Sequence, residues 1–91
     1  MTAHEPAGVS PVEFFNSLTG FDEIGIKREF GEPVTALQSS EPTTWLRSLA
    51  YIALKRRGEH DPKQAALGMT LAELRDFFDL SDGDDEPGEA K

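Results

Sequence analysis

The stretch that decides the fold is Trp45-Leu46-Arg47-Ser48-Leu49-Ala50-Tyr51-Ile52-Ala53-Leu54-Lys55-Arg56-Arg57-Gly58. Trp45, Leu49, Ile52 and Arg56 recur at helical spacing, and Leu46, Leu49, Ala50 and Ala53 form a second, overlapping stripe. Together they make an apolar face wide enough for the most buried helix of a small domain. The spacing predicts a helix from about Glu41 to Arg57, opened by Ser40-Glu41-Pro42 and closed by Gly58. Lys55, Arg56 and Arg57 stand at its end, inside a chain of net charge -8. Cations there complement the negative end of a helix, which is the plain reading of the run. The functional alternative is a docking patch for an acidic partner or for the chain's own acidic end.

Working outward from that helix, the punctuation on either side is legible. Ser10-Pro11-Val12-Glu13 places Ser at an N-cap, Pro at the first helical position and Glu where it reaches back to the cap. With Val9 and Phe14 as the stapling pair, it predicts a short helix to about Leu18. Thr19-Gly20-Phe21-Asp22 opens a second helix whose apolar positions are Phe21, Ile24, Ile26 and Phe30. Gly31 supplies a left-handed end and Pro33 prevents continuation. Gly25, in its middle, costs about 1 kcal/mol relative to Ala unless close packing requires it. Pro33 to Ser40 reads as a connector from which Val34 and Leu37 can touch the core.

Beyond the central helix, Asp61-Pro62-Lys63-Gln64 repeats the cap logic and predicts a brief helix that stops at Gly68. Thr70-Leu71-Ala72-Glu73 is a full capping box, stapled by Met69 and Leu74. It starts a last helix to about Leu80, with Leu71, Leu74, Phe77, Phe78 and Leu80 facing inward or toward a partner. No segment alternates with a period of two long enough to argue a strand. The expected fold is all-α, a single small domain of four to five short helices around a central helix at about 41–57.

The ends bound the domain. Residues 1–9 lack apolar periodicity, and Ser81 to Lys91 holds five acids without a large apolar side chain. Such segments cannot bury enough surface to offset ordering, so a disordered N-terminal segment (1–9) and a disordered acidic tail (81–91) should flank a helical domain at 10–80. A core of roughly 70 residues gives on the order of 5 kcal/mol, to which a partner or self-association can add.

Composition excludes several chemistries. With no cysteine there is no disulfide framework, and His4 and His60 are isolated. Asp82, Asp84 and Glu86 alternate, but Gly83 and Glu89 miss the spacing of a calcium-binding EF-hand loop. Ser39, Ser40, Thr43 and Thr44 have no histidine or lysine base placed to activate them, which leaves them to capping and connection. We therefore expect no enzyme and no cofactor. The acidic balance disfavours nucleic acid and anionic membranes, and no apolar run reaches the length of a membrane span. A soluble cytoplasmic protein is expected.

Three blocks taken in order resemble a known family. They are Pro11-Val12-Glu13-Phe14-Phe15 with Leu18-Thr19-Gly20-Phe21-Asp22-Glu23-Ile24, then Leu46 to Gly58, then Ala65-Ala66-Leu67-Gly68-Met69-Thr70-Leu71-Ala72-Glu73-Leu74. This series resembles the tail assembly chaperones of long-tailed bacteriophages of actinobacteria, over most of residues 11–80. The resemblance implies a helical, non-catalytic protein of the infected host's cytoplasm. Such a protein binds the tape-measure protein, keeps it soluble while tail-tube subunits assemble, and is absent from the mature virion. The expected partner surface joins the Trp45–Arg57 and Leu71–Leu80 helices through Trp45, Leu49, Ile52, Arg56, Leu74, Phe77 and Phe78. A small acidic adaptor for a host or phage protein, and a minor virion structural protein, are the competing expectations.

Overall fold

The computed structural model describes residues 8–78, and among them it contains six α-helices and no strand. They are α1 (Pro11–Asn16), α2 (Gly20–Phe30), α3 (Val34–Ser40), α4 (Pro42–Arg56), α5 (Pro62–Gly68) and α6 (Leu71–Phe77). The all-helical architecture around a central helix agrees with the sequence. The count is higher by α3, which forms where a connector is expected over Pro33 to Ser40.

α4 is the hub, packing against α1, α2, α3, α5 and α6, while α2 also touches α3. Every residue from Ser48 to Leu54 is buried, as is Trp45. A helix covered on nearly all sides needs small side chains where its neighbours approach, and Ser48, Ala50 and Ala53 supply them between Leu49, Tyr51, Ile52 and Leu54. Ser48 does not leave its hydroxyl stranded, since Oγ donates to the Trp45 carbonyl at 2.7 Å. Around α4 the core gathers Phe14, Ile26, Val34, Leu37, Ala66, Met69, Leu74, Phe77 and Phe78.

Capping fixes where the short helices begin. Ser10 and Glu13, Thr19 and Asp22, and Thr70 and Glu73 form reciprocal boxes with hydrogen bonds of 2.8 to 3.2 Å. Each satisfies two backbone donors that the first helical turn leaves open. Both stapling pairs reach the core, with Val9 packed against it and Phe14, Met69 and Leu74 inside it. Asp61 accepts from the Gln64 amide at 3.4 Å, which makes half of the expected reciprocal cap. Gly31 and Gly58 adopt φ of 84° and 83°, the left-handed conformation expected after a helix end.

Several boundaries move. α1 stops at Asn16 rather than Leu18, because Ser17 turns its hydroxyl back to the Phe14 carbonyl at 2.7 Å. Ser40 belongs to α3, donating to the Ala36 carbonyl at 2.8 Å, so Glu41 takes the N-cap position of α4. α6 ends at Phe77, where Phe78 switches to an extended conformation (φ -103°, ψ 152°) that sends its ring inward. The expected continuation to Leu80, the acidic tail at 81–91 and most of the N-terminal segment lie outside the described residues. No helix among those described is long and apolar enough to cross a membrane.

Candidate functional site

The structure brings together the seven side chains expected to form a partner surface, but it puts six of them indoors. Trp45, Leu49, Ile52, Leu74, Phe77 and Phe78 are all buried, with Leu49, Ile52 and Leu74 fully so. Phe78 packs on Phe77 and Phe14 with ring centroids 5.1 and 5.9 Å apart, and Phe15 meets Trp45 edge-on at 5.8 Å. The reason is geometric. α6 is one short element whose apolar side closes onto α4, so the two faces anticipated for a client are consumed by each other. The expected surface is thus corrected to a core.

The cations at the end of α4 are absorbed as well. Arg56 donates to the Ser17 hydroxyl and carbonyl at 3.2 Å each and to Asp22 Oδ2 at 2.7 Å, with its guanidinium 4.8 Å from the Phe14 ring centre. It therefore ties α4 to the α1–α2 corner. Arg57 lies 5.0 Å over Phe77, and Lys55 lies 5.9 Å from the Tyr51 ring. Helix termination, the plain sequence reading, is only part of what this run does, since each cation also covers an aromatic face. Burial of Asp22 works to raise its pKa, but the Thr19 amide and the Arg56 guanidinium outweigh it and hold the carboxyl below its ordinary value.

Among the described residues, what remains outside is a set of five large apolar side chains. Phe21 is 84% exposed and Ile24 59%, with Val12, Leu71 and Leu67 between 45 and 55%. The apolar positions of α2 are thereby split, Ile26 and Phe30 turning toward the core and Phe21 and Ile24 away from it. Beside Ile24, residues Glu23, Lys27, Pro33, Val34 and Thr35 complete a shallow hollow of about 190 Å³.

Leu67 and Leu71 flank the α5–α6 corner, which has an internal brace. Arg47, from the middle of α4, donates through one nitrogen to the carbonyls of Ala66, Leu67 and Met69 at 2.9, 3.3 and 2.6 Å. The Ala66 carbonyl also accepts from the Met69 amide at 3.3 Å, and a single cation gathered on three carbonyls of the last turn and the cap closes α5 and fixes the turn. Sequence reasoning did not single out Arg47. The available signal was a lone charge inside an apolar run, a residue that must find acceptors if its helix is buried. Ala66, just before Leu67, and Met69, between the two leucines, are buried and hold the corner to the core.

Trp45 adds an unsatisfied group: its indole Nε1 is buried without a hydrogen-bond partner among the described residues. Such a group costs about 1–3 kcal/mol, offset here by the ring's burial against Phe15 and the core. Comparison with protein-family models, curated proteins and solved structures found no match.

Proposed function

We propose that this chain is a protein-binding helical module that acts as a phage tail assembly chaperone, holding a tape-measure protein in solution while the tail is built. The observation that carries the reading is the braced α5–α6 corner, where Leu67 and Leu71 stay exposed at 45% and 52% on a turn fixed by Arg47. A rigid pair of leucines on the surface suits an amphipathic helix of a client, which lays apolar side chains into such a site at low ordering cost. Both leucines fall in the third block of the resemblance, and the three blocks correspond to α1–α2, α4 and α5–α6. The acidic balance of the whole chain would keep a complex with an apolar client dissolved.

Co-expression with the tape-measure protein tests this directly. The client should partition to the soluble fraction with the wild-type chain, and revert to the pellet with a Leu67→Ser/Leu71→Ser variant that still shows a helical spectrum. Client solubility that is the same with and without this chain would sink the chaperone reading. A second reading, an acidic adaptor, draws on charge distribution: residues 8–78 hold ten acids and eight bases, so six of the net -8 lie outside them. An adaptor would bind its partner through those terminal acids, and that binding would weaken with salt rather than with loss of the leucines.

A further inference from the structure

The outward side of α2 carries apolar and charged side chains exposed among the described residues. At about 100° per residue, Ile24 marks the centre of that side, directly opposite the buried Ile26 and Gly25. Glu23 and Lys27 flank Ile24 on one side, and Phe21 and Arg28 on the other. Phe21 and Ile24 are the two most exposed large apolar side chains among the described residues. Glu23, Lys27 and Arg28 form no ion pair with another described residue, although Asp22 and Glu29 on the same helix do.

We propose that α2 is the interface of a homodimer, in which the α2 of a second copy lies antiparallel on a two-fold axis passing close to Ile24. In such an isologous contact each flank of the helix meets the same flank of its mate. Glu23 then faces Lys27 of the second copy and Lys27 faces its Glu23, while each Phe21 ring receives the opposing Arg28 guanidinium. The two pairings agree on one register. The midpoint of 23 and 27 is position 25, and that of 21 and 28 is 24.5, so a single axis serves both. The two Ile24 side chains close the centre, and the hollow beside Glu23 has room for the opposing Lys27 stem.

Charge favours a second copy over a foreign helix. Acids precede bases along this side, an order that an antiparallel copy complements automatically. The body itself is close to neutral, at two net negative charges over residues 8–78. Two three-turn helices bury on the order of 1,000 Å² in total, at the small end of specific interfaces, the size class of weak and reversible association.

The test is sedimentation equilibrium of the full chain from low to several hundred micromolar. A monomer–dimer equilibrium is expected, weakened about tenfold or more by Ile24→Glu with the thermal unfolding of the dilute protein unchanged. Glu23→Lys alone and Lys27→Glu alone should each weaken the dimer severalfold, and the double swap should restore it, because the reciprocal pairs are rebuilt with inverted sign. A chain that stays monomeric throughout, or a double swap no better than the single ones, overturns the proposal. The readout needs no client, so it fails or holds apart from the chaperone reading.

Discussion

The cations of α4 and its cap and those of α2 are the same residue types put to opposite uses. In α4, Arg47, Arg56 and Arg57 lie over rings or reach carbonyls of other helices, and the helix is buried almost all round. In α2, Lys27 and Arg28 sit beside Phe21 and Ile24 on a side that nothing among the described residues covers. The difference shows that a basic run has no fixed meaning by itself. What decides is whether aromatic faces and open helix ends of the same chain lie within reach. Those near α4 do, so its charge works for the fold; α2 has its acids and bases sorted along an open side, so its charge is left for association.

The sharpest way to break the comparison is to remove one apolar side chain from each helix. Leu49→Ala should cost about 2–5 kcal/mol, enough to unfold much of a domain of this size. Ile24→Ala should stay within about 0.5 kcal/mol in dilute protein. Urea denaturation at low protein concentration measures both, and equal losses would erase the distinction. Replacing cations gives a smaller contrast. Arg47→Met, which strips the α5 end of its donor, should lower stability by roughly 1–3 kcal/mol, against little change for Arg28→Met.

The smallest effect is a pH dependence. Asp22 is held below its ordinary pKa of 3.8, so the folded state favours its carboxylate. Its contribution is therefore present above about pH 4 and disappears as pH falls through the lowered folded value. Asp22→Asn should flatten the stability curve in that acidic window, with a loss of less than about 1 kcal/mol at neutral pH. An unaltered acid limb would show that the bond between α4 and the α1–α2 corner adds nothing.

How legible was this in the chain? Helix starts were, because Ser10, Thr19 and Thr70 each carry their reciprocal acid three residues on, a purely local device. The central helix was too, since its apolar residues outlast any other pattern. α3 was not: Thr35, Ser39 and Ser40 are weak helix formers, Pro33 gives no side-chain cap, and only Val34 and Leu37 at spacing three hint at a buried side. Packing on α4 supplies what the segment lacks. The partner surface was misplaced for a related reason. Apolar periodicity reports that Phe77, Phe78 and Leu74 seek cover, but whether another helix of the same chain provides it is a question of topology. Spacing alone does not separate Phe21 and Ile24 from Ile26 and Phe30 either, and only the rotation of α2 on α4 turns the first pair out. Gly25 also resolves: an added Cβ would meet Tyr51 Oη and Lys55 Nζ at 3.8 and 3.9 Å, ordinary contacts, so close packing does not require glycine there.

Trp45 is the only tryptophan of the chain, its indole N–H is buried without a partner among the described residues, and its ring abuts Phe15 of α1. The molecule thus contains its own optical reporter. Fluorescence from an indole in so dry a setting is emitted toward the blue, and it shifts to the red as soon as α1 lifts and water reaches the ring. Loosening of the N-terminal corner can in this way be followed separately from the helical melt, with no label attached.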